Sequence, residues 1–214
     1  RRVTHDGVGL FVAVGDNGTI LTSSDNGTTW TSRTGTSDNL KSVTHGNNTY
    51  VVVGYSGEIL TSTDAITWTQ RTAAVGYDVF GVGFGDNTFV ATEGNGIIMT
   101  SSDNGTTWIS ITTSYSYGSN AFFDVKYLNG KFFIVGAGGT ILTSTDKGAN
   151  WATQTSGTTV SLWEIAYGNG LFVIVGEDGT ILTSSNGTTW TTMTSGTSEY
   201  LKAVTYGNGT FVTV

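Results

Sequence analysis

Few residues in this chain have the types and spacing that chemistry requires. Glu58, Glu93, Asp124, Glu164 and Glu177 are the irregularly placed acids, and two opposed carboxylates are what glycoside hydrolysis needs, one to donate a proton and one to act as base or nucleophile. Asp124 and Glu164 stand 40 residues apart, as do His5 and His45. Two histidines without a single cysteine complete no recognisable zinc set, and no serine comes with a defensible base and orienting carboxylate. Glycine-rich turns are frequent, but none leads into a helix, so a phosphate or dinucleotide loop is a poor fit. Asp residues recur in those turns, about one carboxylate per turn, without the alternating oxygen ladder of a calcium loop. Neither metal nor cofactor is expected.

The elements that must position these residues follow from composition and periodicity. The 214 residues include 31 Gly and no Pro or Cys, with only 12% charged; Thr, Ser, Asn and Gly in such proportion favour strands and tight turns. No run of eighteen apolar residues exists to span a membrane as a helix. The formal net charge of -7 is spread thinly and leaves no basic stripe for nucleic acid. The N-terminal Arg1-Arg2-Val3-Thr4-His5 lacks a signal-peptide pattern. Asn17, Asn26, Asn47, Asn104, Asn186 and Asn208 open formal glycosylation triplets, five of them as Asn-Gly pairs better explained by tight turns. An extracellular or cell-surface location is favoured.

Internal repetition is the strongest signal. Ile20, Ile59, Ile97, Ile141 and Ile181 each begin an apolar pair and recur at 39, 38, 44 and 40 residues; Trp30, Trp68, Trp108, Trp151 and Trp190 follow at 38, 40, 43 and 39. Residues 40 to 72 show the unit: strands at Leu40–His45, Thr49–Val53, Glu58–Ser62 and Thr67–Thr72, joined by three tight turns. Such a sheet has two faces to cover, and radial repetition covers them. A β-helix, the main rival, would not use three hairpin-like turns per forty residues. The expectation is an all-β, β-propeller fold of four-stranded antiparallel blades, at roughly 1–33, 40–72, 79–113, 122–155 and 162–194. A half-blade follows at 201–214, and the whole is a single propeller domain or a fragment of one. Because the first blade already carries its own first two strands, the half-blade implies additional blades in a longer parent or completion by a neighbouring chain.

One turn motif recurs. Ser23-Ser24-Asp25-Asn26-Gly27-Thr28-Thr29-Trp30 returns with Asp103, Gly105 and Trp108, and again with Asp146, Gly148 and Trp151; shortened forms carry Asp64 and Trp68, or Asn186 and Trp190. The carboxylate can accept local N–H bonds, Gly supplies positive φ and Trp seals the blade edge. The pattern Ser-x-Asp-x-Gly-x-x-Trp resembles the Asp-box, or BNR, repeat of sialidase-like and photosystem-assembly-factor-like propellers. The resemblance implies a peripheral turn and transfers no active site. Sialidases also need clustered arginines, and this chain has only Arg1, Arg2, Arg33 and Arg71, the last two at equivalent places in adjacent fourth strands.

The remaining candidates concern binding. First strands line a propeller's channel, so Asp124 and Glu164, which match Ser42 and Gly81, should face shared solvent there. Glu58 and Glu177 lie at or near turns, where exposed charge needs no special explanation. His5 and His45 fall where later repeats carry Phe84, Tyr127, Tyr167 and Tyr206, a packing slot. The most variable connections follow the fourth strands, and they share one end with the turns between second and third strands. Tyr55, Tyr77, Tyr115, Tyr117 and Glu177 sit on that end. Trp163 aligns with Lys41, Phe80, Phe123 and Lys202 at the start of the first strand, suited to recognition at the channel mouth or to packing between blades. The reading is a noncatalytic binding or scaffold module engaging a protein partner through this end. A glycan-binding propeller is the alternative, and a glycoside hydrolase fragment is weaker still.

Overall fold

The structure, a computed structural model, describes residues 2–73, 76–113 and 121–214. Blade one consists of Arg2–His5, Phe11–Val14, Ile20–Ser23 and Thr31–Arg33; blade two of Leu40–Gly46, Thr49–Gly54, Ile59–Ser62 and Thr69–Arg71; blade three of Val79–Gly85, Thr88–Glu93, Ile97–Ser101 and Ile109–Thr112. Blade four follows as Phe122–Leu128, Lys131–Gly136, Ile141–Ser144 and Ala152–Gln154, and blade five as Leu162–Gly168, Leu171–Gly176, Ile181–Ser184 and Thr191–Met193. Each is an antiparallel meander in sequence order; Val204–Gly207 and Thr210–Thr213 pair as a two-stranded sixth sheet. The fold is an all-β propeller whose sixth blade is partial. The fourth strands are shorter than the sequence pattern indicated. In blade two the strand begins at Thr69, because Asp64 holds the Thr67 N–H at 2.8 Å within the turn.

Strand alternation explains how the blades assemble. In blade two, Val43, Tyr50, Val52 and Leu60 face blade one, where they meet Val12, Val14 and Ile20. Val51, Val53 and Ile59 point the other way, against Val79, Val82, Phe89 and Met99 of blade three. The same arrangement joins blade three to four and four to five. The second strands of blades two, four and five are therefore apolar at most positions, as a sheet buried on both faces must be. The aromatic slot on the first strand stacks on the second: His45 lies 4.4 Å from Tyr50 and His5 4.4 Å from Phe11, the geometry that Tyr167 and Phe172 also adopt.

The Asp-box turn closes each outer hairpin through side-chain bonds. In blade three, Ser101 Oγ donates to Asp103 Oδ1 at 2.8 Å and accepts the Gly105 N–H at 2.9 Å. Thr107 donates its N–H and hydroxyl to the two Asp103 oxygens at 2.9 and 2.6 Å, and Trp108 Nε1 donates to Gly105 O at 3.1 Å. Gly105 takes φ +75, and a Cβ there would stand 3.0 Å from Thr61 and 3.2 Å from Val51 of the preceding blade. In the shortened turns the indole N–H of Trp68 and of Trp190 has no acceptor, and Ala65 carries the positive φ, 55°.

These bonds favour the charged carboxylate. The Thr107 hydroxyl and N–H hold Asp103 at about 2, below the ordinary 3.8. Stability from this group is present above the ordinary value and is lost as pH falls through about 2. Asn186 makes the same turn with its amide oxygen, accepting from Ser184, Thr188 and Thr189. Asp103→Asn should therefore fold normally and reduce the drop in melting temperature between pH 5 and pH 2; an unchanged acid profile would contradict this account.

Candidate functional site

The two carboxylates that stood out in the sequence meet at the centre of the ring. Pairing places Arg2 opposite Val14, Ser42 opposite Val53, Gly81 opposite Thr92, Asp124 opposite Val135 and Glu164 opposite Val175. They are one structural position repeated around the axis, and all but Gly81 line a cavity of about 560 Å³. Asp124 and Glu164 were expected in shared solvent, but Asp124 is only 1% exposed and Glu164 9%. Arg2 reaches both, at 3.1 Å to Asp124 and 2.6 Å to Glu164, and Lys126 Nζ lies 2.7 Å from Glu164. Each carboxylate also accepts a backbone N–H from the next blade: Ile165 donates to Asp124 at 3.5 Å and Val204 to Glu164 at 2.8 Å. Ser42 Oγ makes the corresponding contact with Val82 N at 3.4 Å. The acids are thus inter-blade clamps neutralised by two cations. Arg2 was overlooked in the sequence because it stands at the start of the chain; its match to the Ser42 column was the available signal.

One residue nearer the loop-bearing end, each of blades two to five carries a β-bulge. The register shifts across Lys41, Phe80, Phe123 and Trp163, and an extra residue in a strand re-aims its side chain. The re-aimed rings form an arc with Tyr55. Tyr55 meets Phe80 edge-on at 6.3 Å, Phe80 meets Phe123 at 6.4 Å, and Phe123 stacks on Trp163 at 4.4 Å. A lysine ammonium closes each end: Lys41 sits 3.9 Å from the Tyr55 ring and Lys202 5.0 Å from Trp163. Among the described residues, the buried indole N–H of Trp163 has no hydrogen-bond partner. The sequence singled out Trp163 and its column but not the bulges that turn that column into one surface.

The other candidates scatter around this arc. Tyr77, half exposed, lines a smaller pocket of about 380 Å³ with Ser56, Asp78 and Phe80, so Tyr55 and Tyr77 both border Phe80. Tyr115 and Tyr117 lie outside the described residues. Glu177 accepts the Ser161 N–H at 3.3 Å, which ties the turn to the connection before its blade. Connections and turns do share one end: Tyr55 N bonds Asn39 O, Ser56 N bonds Asp78 Oδ1, and Gly139 N bonds Val160 O. Arg33 and Arg71 occupy equivalent fourth-strand positions, each donating Nε to a threonine hydroxyl of the third strand. Among the described residues, no group of three or more His, Asp or Glu is placed to hold a metal ion.

Two further acids are buried. Glu58 is buried, not an exposed turn charge, and one oxygen accepts Gln70 Nε2 at 3.0 Å. Glu93 is fully buried, and among the described residues neither of its oxygens has a hydrogen-bond partner. It takes the place that Gly54, Gly136 and Gly176 hold in other blades, where a Cβ would strike a carbonyl oxygen within 2.5 Å. Burial raises its pKa to about 8.

With this geometry in view, comparison with known proteins is decisive for lineage. The family model described as photosynthesis system II assembly factor YCF48 matches residues 14–185. The chain belongs to the YCF48 family. Among solved structures, YCF48 from Cyanidioschyzon merolae matches at TM-score 0.72 and 14% identity, over 97% of this chain and 76% of that one. A structure described as YCF48 bound to D1 peptide matches at TM-score 0.60 and 16% identity, over 96% and 84%. The computationally designed Ika8 protein matches at TM-score 0.74 and 13% identity, over 95% and 64%. At these identities the structures establish the propeller fold alone. No curated protein matches the chain by sequence. The YCF48 assignment agrees with the Asp-box resemblance and places this chain apart from the sialidase branch of that repeat.

Two outcomes test the buried charges. Arg2→Met leaves two buried carboxylates sharing one lysine, and should cost about 2–4 kcal/mol in denaturant unfolding. Adding Glu164→Gln should recover part of that loss, and additive losses would refute the clamp. Glu93 favours its neutral form in the fold, so stability is full below the ordinary 4.5 and is lost as pH rises through about 8. Glu93→Gln should match the parent at pH 4 and exceed it by roughly 1–3 kcal/mol at pH 9.

Proposed function

We propose that this YCF48-family chain is a noncatalytic module that binds an extended segment of a protein partner across the channel mouth. The aromatic arc Tyr55–Phe80–Phe123–Trp163, bracketed by Lys41 and Lys202, carries the reading. Rings packed against one another, three of them on strands and Tyr55 in the adjoining turn, present apolar area at little entropic cost, the feature that makes aromatics frequent anchors at interfaces. The lysines add cationic groups at either end. A relative whose structure is described as bound to D1 peptide supports a polypeptide as ligand. The axial carboxylates serve the fold in this reading, since every one is already engaged by a cation and a backbone N–H.

The test is titration of the folded chain with a fluorescein-labelled D1 peptide, beside a glycan array. Saturable peptide binding, weakened at least tenfold by Trp163→Ala or Phe80→Ala, about 1.4 kcal/mol or more, is the expected result. Selective saccharide binding lost in the same variants would replace the reading with glycan recognition, and binding indifferent to both variants would move the site away from the arc.

A further inference from the structure

Eight Asn-Gly pairs occur in this chain. The pair favours tight turns, and it is also the dipeptide in which the following nitrogen reaches an asparagine side chain most readily, because glycine puts no side chain in the way. The fold divides the eight by what the glycine N–H does. In five pairs it is already committed. Gly18 donates to Asp38 O at 2.7 Å and Gly96 to Glu93 O at 3.3 Å. Gly27, Gly105 and Gly187 donate to the Oγ of Ser23, Ser101 and Ser184 at 2.9, 2.9 and 2.8 Å.

The remaining pairs, Asn129-Gly130, Asn169-Gly170 and Asn208-Gly209, each join a first strand to a second. Asn129-Gly130 belongs to blade four, which has a four-stranded blade on either side. Its φ values are 48° and 80° and Leu128 pairs with Lys131 across it, the two-residue type I′ turn. Among the described residues, no acceptor meets the Gly130 N–H. Both turn residues are exposed, and a Cβ on Gly130 would meet nothing within 4 Å. Gly105 and Gly187 are buried, with neighbours at 3.0 and 2.6 Å from the same position. The Asn129 turn therefore has room to rotate its nitrogen toward its own side chain, and the Asp-box turns do not.

We propose that Asn129 is a site of spontaneous deamidation, selected from the other Asn-Gly pairs by its free glycine N–H. The Gly130 nitrogen attacks Asn129 Cγ; the new N–C bond forms as the bond from Cγ to the amide nitrogen breaks, and ammonia leaves with the Gly130 proton. The cyclic imide then takes up one water, the only co-reactant. Opening at one carbonyl gives aspartate; opening at the other gives isoaspartate, whose main chain runs through the β-carbon. The two products differ in consequence. Asp86 holds the same turn position in blade three, between the paired Gly85 and Thr88, and lies 3.8 Å from Lys147 of the next Asp-box turn, so aspartate at 129 suits the hairpin. Isoaspartate adds a main-chain carbon to a two-residue turn and disturbs the pairing of Leu128 with Lys131, whose Nζ donates to Asn186 O of the neighbouring blade at 3.3 Å. This end of the ring lies opposite the aromatic arc, so the site stands or falls independently of the proposed function.

The test is to age the folded chain in mildly alkaline water enriched in the heavy oxygen isotope and digest it with trypsin. Cleavage after Lys126 and Lys131 isolates residues 127–131. Fragment masses locate incorporated oxygen there and at the other asparagines, and an isoaspartyl methyltransferase with a labelled methyl donor identifies isoaspartate. Asn129 should convert roughly tenfold or more faster than Asn104 and Asn186, whose glycine N–H must first leave a buried hydrogen bond. In the chain unfolded by urea the three should convert at similar rates. Ser101→Ala removes the acceptor of the Gly105 N–H and should speed conversion at Asn104 while leaving Asn129 unchanged, with a circular dichroism melt to confirm that the variant is folded. Conversion of Asn129 no faster than that of Asn104 and Asn186 in the folded parent overturns the proposal. So does an unmoved Asn104 in folded Ser101→Ala, or a difference between the pairs that persists in urea.

Discussion

The rest of the molecule depends on a sheet that is apolar on both faces. A four-stranded meander whose second strand reads Thr-Tyr-Val-Val-Val-Gly, buried at every position, cannot turn one face to water, so each blade exists only between neighbours. Alternation divides each strand between two interfaces, one row of side chains backward and the other forward. The repetition of near-identical blades is the chain's answer to that requirement, since every blade supplies the surface the next one needs.

The polar machinery divides along the same radial line. At the periphery the full-length Asp-box turns are self-contained, with Ser, Asp, Gly and Trp bonded to one another or to the intervening residues within eight positions, and Asn186 shows that the turn requires an oxygen acceptor more than a charge. Near the axis the first strands converge, so one side-chain position per blade is brought among its counterparts. Buried carboxylates there must be paired, and Arg2 and Lys126 do this while Asp124 and Glu164 bond the neighbouring strand. The centre of this propeller therefore holds blades in register, and the rim above it carries the aromatic arc.

That rim is built by a small backbone irregularity. A bulge at the first-strand entry of four successive blades rotates one side chain each out of the inter-blade layer, and three of the four are large aromatics. Packing holds the rings against one another, so the surface is set before any ligand arrives. Glu93 sits at the same end as the exception. It occupies a glycine position, buried and unbonded, and the fold tolerates it by keeping it neutral.

The forty-residue period, the alternation within strands and the Asn-Gly and Asp-box turns were enough to define blades, their strand order and the Asp-box family, because each is a local pattern recurring at fixed offsets. The equivalence of Asp124 with Glu164 and of His5 with His45 was readable for the same reason. Whether a channel carboxylate is solvated or clamped was not, since that turns on Arg2, separated from Glu164 by 162 residues and joined to it only when the ring brings first strands together. The burial of Glu58 and Glu93 was equally hidden, because solvent exposure of a turn depends on which connection folds over it. The aromatic arc shows the division clearly. Phe80, Phe123 and Trp163 share a column in the repeat, but only bulged backbone and the curvature of the ring place their faces on one surface.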